Sequence, residues 1–144
     1  MANAFQVTFD AADPLRLGRF WGAVLGYVDQ PPPDGHESWP AFLTSVGVPE
    51  SQWDSAWSVV DPDGVGARLL FQKVPEGKAA KNRVHLDVTV GGGRGVPLEE
   101  RQRRVDARAA ELVELGAELV GPGAEPGGYW VVLRDPEGNE FCLQ

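Results

Sequence analysis

Asp135-Pro136-Glu137-Gly138 stands between two apolar runs, Tyr129-Trp130-Val131-Val132-Leu133 and Glu140-Phe141-Cys142-Leu143. Asp first, Pro second and Gly fourth are the preferences of a type I β-turn, so the stretch reads as a hairpin. The same frame lies upstream, where Asp61-Pro62-Asp63-Gly64 separates Trp57-Ser58-Val59-Val60 from Arg68-Leu69-Leu70-Phe71-Gln72. Two hairpins on one template point to an internal repeat.

Reading outward from each hairpin extends the match. Phe5-Gln6-Val7-Thr8-Phe9-Asp10 alternates apolar and polar residues, the period of a half-buried strand, and Val84-His85-Leu86-Asp87-Val88-Thr89-Val90 does the same. A helix follows each strand. Asp13 suits an N-cap and Pro14 the first helical position, with Leu17, Phe20, Trp21, Val24 and Leu25 along one face. The second helix is expected from about Pro97, with Glu99 and Glu100 in its first turn and Leu98, Val105, Ala109 and Leu112 as its apolar stripe. Both end in Leu-Gly, at Leu25-Gly26 and Leu115-Gly116, and each leads into a short strand. The order strand, helix, then three strands thus occurs twice. It predicts an α+β fold of two tandem βαβββ modules, residues 1–76 and 82–144, within one domain spanning 1–144. The Pro- and Lys-containing stretch from Pro75 to Asn82 reads as a solvated linker. An excursion from Gln30 to about Asp54 interrupts the first module, with a strand expected around Ala41 to Val46; long insertions of this kind carry ligand or partner contacts.

Composition narrows the function. The 144 residues are 42% hydrophobic and 24% charged, enough apolar material for a core and no signature of disorder. A net charge of -8 argues against nucleic acid or an anionic membrane as partner, because both repel an acidic surface. The start lacks a basic stretch and apolar run, and no apolar segment has the length of a membrane span, so a cytoplasmic protein is expected. The single cysteine, Cys142, rules out an intrachain disulfide.

With these motifs in register, the chain resembles the vicinal oxygen chelate superfamily, the glyoxalase I, extradiol dioxygenase and bleomycin-resistance group. The carriers are Arg19-Phe20-Trp21-Gly22-Ala23-Val24-Leu25-Gly26-Tyr27, Lys81-Asn82-Arg83-Val84-His85-Leu86-Asp87 and Asp135-Pro136-Glu137-Gly138-Asn139-Glu140-Phe141. The resemblance implies a cupped, eight-stranded mixed sheet with helices outside, and a homodimer. It also implies that metal-using members draw four ligands from the first and fourth strands of each module. Matching by motif puts Gln6, Gln72, His85 and Cys142 at those positions.

Strand alternation arrives at the same lining. Phe5, Val7 and Phe9 should pack under a helix and leave Gln6, Thr8 and Asp10 on the other face; Val84, Leu86, Val88 and Val90 should leave His85 and Asp87; Phe141 and Leu143 should leave Cys142. Two neutral amides and no carboxylate make a poor set for a hard divalent ion, so no resident cofactor is expected. A divalent metal at His85, Cys142, Gln6 and Gln72 is the alternative, with Asp87 or Glu140 reaching inward. His85 reads either as ligand or general base beside Asp87, or as a cup-lining imidazole held by hydrogen bonds. Cys142 reads as a small buried filler and His36 as solvated. Trp39 and Trp53 lie in the excursion and suit ligand or dimer contact; Trp21 belongs to the core. The expected function is a glyoxalase-like small-molecule-binding protein. The alternative is a metal-assisted lyase, isomerase or dioxygenase acting on a small oxygen-rich substrate through His85 and Asp87.

Overall fold

A computed structural model describes residues 1–144 as eight strands and three helices in two compact units, Met1–Gly77 and Lys78–Gln144. The first unit contains β1 (Val7–Ala11), α1 (Pro14–Leu25), β2 (Val28–Asp29), α2 (Trp39–Ser45), β3 (Ala56–Val60) and β4 (Leu69–Lys73). The second contains β5 (Asp87–Val88), α3 (Leu98–Glu114), β6 (Glu118–Glu125), β7 (Gly128–Arg134) and β8 (Glu140–Leu143). Each unit forms a four-stranded mixed sheet, in the orders β1-β4-β3-β2 and β5-β8-β7-β6, with its first and fourth strands parallel. The internal repeat is therefore a repeat of topology as well as of motifs.

The helices form where their local signals stand. Asp13 Oδ1 accepts from the Arg16 backbone N–H at 3.1 Å, Pro14 opens α1, and Gly26 closes it with φ of 72°. Leu17, Phe20, Trp21 and Val24 are buried on one face of α1, each adding up to about 1.5–3 kcal/mol of apolar burial. They rest on the β-face carrying Phe9, Val59, Leu69 and Phe71, where the Phe9 ring lies 5.1 Å from Trp21 and 5.0 Å from Phe71. Gly18 permits that approach, since a Cβ there would sit 2.7 Å from Trp57 Cδ1 and 3.1 Å from Phe71 Cδ2. In the second unit Val105, Ala109 and Leu112 of α3 are buried with Val131, Leu133, Phe141 and Leu143. Both Asp-Pro turns close as expected, with Gly64 N–H on Asp61 O at 3.0 Å and Gly138 N–H on Asp135 O at 2.9 Å. No helix is long and apolar enough to cross a membrane.

Several expectations are corrected. The segment around Ala41 to Val46 is the helix α2: Ser38 Oγ caps it by accepting from Ala41 N–H at 3.2 Å, and Pro40 fits the first turn, a start signal that outweighs its apolar run. Phe5 and Val84 do not pack under helices; they precede β1 and β5 and are 74% and 81% exposed. The strand expected over Val84–Val90 reduces to Asp87–Val88, although backbone bonds with β8 and Gln144 run from Leu86 to Gly91. His36 is half-buried, its ring 5.1 Å from Phe42. The Pro75–Asn82 stretch is exposed as far as Lys81, as expected, and in addition Lys78 and the Asn82 N–H both bind Glu140.

Candidate functional site

The first unit holds a cavity of about 360 Å³ on the sheet face opposite α1, where Ser58 and Leu70 are register partners. The excursion covers it: Trp39 and Leu43 of α2, then Val48 and Trp53, complete the apolar wall. Both indole donors are committed to backbone. Trp39 Nε1 donates to Gln30 O at 2.7 Å and Trp53 Nε1 to Val48 O at 3.0 Å. The rings are thereby fixed in orientation without using any polar group of the cavity.

Arg68 is the charged member of the lining. Its guanidinium donates from Nε to Gln30 Oε1 at 2.7 Å, from Nη1 to Gln6 Oε1 at 2.8 Å and from Nη2 to Ser58 Oγ at 3.1 Å. Ser58 Oγ in turn donates to Gln30 Oε1 at 2.8 Å. Gln6 thus accepts from a cation, and a metal ion at that oxygen would face a fixed positive charge. Gln72 is exposed on the cavity's side of the sheet, in register with Asp10 and Ala56.

The second unit brings together His85, Asp87 and Cys142. One donor atom from each lies within 4.8 Å of the others, and His85 Nδ1 is 2.8 Å from Asp87 Oδ1. Asp87 and Cys142 are register partners across the parallel β5–β8 pair. Burial, then the charge of Asp87, pushes the Cys142 thiol up, so the sulfur stands as a protonated donor to that carboxylate rather than as a nucleophile. Nitrogen, oxygen and sulfur in one cluster suit a borderline ion such as zinc better than a hard ion such as manganese.

Arg68, Gln30 and Ser58 are absent from the residues that sequence reasoning selected. For Arg68 a signal existed: it stands two residues before Leu70 and four before Gln72, on the same strand face. The partners that converge on its guanidinium come from up to 62 residues away and carry no local mark.

A family model described as a glyoxalase-like domain matches residues 6–144. Similar solved structures include a glyoxalase/bleomycin resistance protein/dioxygenase family enzyme from Burkholderia phytofirmans, 17% identical, covering 99% of this chain and 97% of that one with a TM-score of 0.63. The fosfomycin resistance protein FosX from Mesorhizobium loti is 15% identical, with coverage of 100% and 91% and a TM-score of 0.60. A FosX mutant from Listeria monocytogenes, in complex with Mn(II) and dihydroxypropylphosphonic acid, is 12% identical, with coverage of 100% and 90% and a TM-score of 0.62. At these identities the structural likeness establishes the α+β fold. No curated protein matches the sequence.

Proposed function

The chain belongs to the glyoxalase-like domain family, and from that premise we propose that it binds a small molecule, without a metal, in the cavity of its first unit. The observation that carries this reading is the indole-lined cavity itself. Its volume of about 360 Å³ lies within the usual range of ligand pockets, and its wall is mainly apolar with a few polar groups. The guanidinium on Gln6 Oε1 supports metal independence, because it occupies the oxygen that the family resemblance would give to an ion. A thermal-shift screen of small molecules on chelator-treated protein tests the reading, since a ligand of the native state raises the melting temperature. Hits should be lost in Leu43→Trp, which fills the cavity; hits that persist there overturn the assignment.

A second reading is favoured by one observation, the grouping of His85, Asp87 and Cys142. These three would hold a zinc-type ion, and such an ion would act as a Lewis acid on substrate oxygen. Titration against a chromophoric chelator would then give one zinc per chain in the wild type and none in His85→Ala or Cys142→Ser. Homodimer assembly belongs to the same proposal. It is supported by Phe5 and Val84, large apolar residues exposed at equivalent places in the two repeats. Light scattering should return twice the chain mass of 15.5 kDa, and the chain mass itself would contradict it.

A further inference from the structure

Arg68 is held on three sides by oxygens that carry no charge: the amides of Gln30 and Gln6 and the hydroxyl of Ser58. The ion pairs of the chain join Arg19 to Asp29, Lys73 to Asp54, Lys78 to Glu140, His85 to Asp87, and Arg103, Arg104, Arg108 and Arg134 to glutamates; Arg68 is in none of them. A guanidinium offers five N–H donors, one on Nε and two on each terminal nitrogen. With three engaged, one remains on Nη1 and one on Nη2, available to the oxygens of a carboxylate. The residue is half-buried in the wall of a cavity that is largely indole and aliphatic, with Gln52, Ser55 and Ser58 as neutral polar members and no second charged residue. In a chain with a net charge of -8, a half-buried cation with only neutral partners is a local exception to the acidic surface.

We propose that the cavity selects a flat, apolar small molecule bearing one carboxylate, with the carboxylate on Arg68 and the ring system against Trp39 and Trp53. This rests on the reading of the cavity as the binding site and adds the chemical class of its ligand. The neutral partners matter to the selectivity. Gln30, Gln6 and Ser58 hold the fork in one orientation and leave its charge intact, so an anion gains both the electrostatic attraction and a preformed geometry. The apolar walls lower the local dielectric and strengthen that pairing, while giving no anchor to a second charged group. A cationic molecule would have to lose its water with no carboxylate in the lining to pair with it.

The test uses naphthoate and its neutral isostere naphthamide as probes, with affinities read from tryptophan fluorescence and calorimetry on the full chain. Naphthoate is expected to bind about 10- to 100-fold more tightly than the amide, the range for hydrogen bonds to a charged group. In Arg68→Met that preference should disappear while the amide retains its affinity, and Arg68→Lys should keep part of it. Equal affinities of the two probes for the wild type would overturn the carboxylate inference. If both probes are then lost together in Leu43→Trp, the cavity reading survives that failure. Binding of neither probe up to the millimolar range would overturn both. The comparison of probes on the wild type needs no variant, so poor folding of Arg68→Met does not blunt it.

Discussion

Glu140 fastens the segment between the two units' sheets to the start of β8, and its replacement by glutamine has a calculable cost. Its Oε2 accepts from the Asn82 backbone N–H at 3.0 Å and from Lys78 Nζ at 3.1 Å, with the glutamate side chain 15% exposed. The Asn82 N–H, with further help from Lys78, holds the carboxyl down to about 2 from its ordinary 4.5, against the opposing effect of burial. A difference of that size corresponds to a ceiling of about 3 kcal/mol at neutral pH, and partial solvent screening brings the expected value to about 1.5–3 kcal/mol. The direction follows from the depressed value. The native state holds the ionised form, so the stabilisation is complete above the unfolded pKa and is lost as pH falls from about 5 towards 2. Glu140→Gln keeps the acceptor for Asn82 and removes the charge. Urea unfolding followed by far-UV circular dichroism should find the variant less stable at pH 7 by the amount given, with the gap reduced to about half or less at pH 3. A gap of the same size at both values, or none at pH 7, would refute the role assigned to the ionised carboxylate.

Gly18→Ala should destabilise the first unit by about 1–3 kcal/mol in the same assay, because the new methyl would meet Trp57 and Phe71 at overpacked distances. Asp135→Ala should cost about 2–4 kcal/mol, since Asp135 is only 3% exposed and its Oδ1 accepts from the backbone N–H groups of Glu137 and Asn139 at 2.9 and 3.0 Å. Asp135→Asn, which retains one acceptor oxygen, should lose less. Trp53→Phe removes the bond to Val48 O while keeping an aromatic wall, so it should lower the melting temperature by a few degrees and weaken naphthoate binding less than Trp53→Ala does.

What the sequence made legible was local. Asp13-Pro14, the Leu-Gly stops and the two Asp-Pro turns are short-range devices, and each acts in the structure as its residue types dictate. Alternation also assigned Phe141 and Leu143 to the core and Cys142 to the other face. It fails at the first residue of each expected strand, since Phe5 and Val84 continue the pattern past the point where a partner strand exists. In the excursion, the apolar run of Ala41 to Val46 suggests a strand, whereas Ser38 and Pro40 mark a helix start. The cavity's polar side was not legible, because Gln6, Gln30 and Ser58 meet at Arg68 only through the β1–β4–β3–β2 order of the folded sheet. The grouping of His85 and Asp87 was readable from their spacing of two, whereas the approach of Cys142 depends on the parallel register of β5 and β8.

The five tryptophans serve as internal reporters of where a ligand sits: Trp39, Trp53 and Trp57 of β3 line the cavity, Trp21 lies in the core of the first unit, and Trp130 belongs to β7 of the second. Fluorine NMR of fluorotryptophan-labelled protein titrated with naphthoate tests the location of binding most directly. The account predicts that the Trp39 and Trp53 resonances move with saturation while those of Trp21 and Trp130 stay in place. Movement of Trp130 with Trp39 and Trp53 unchanged would contradict it.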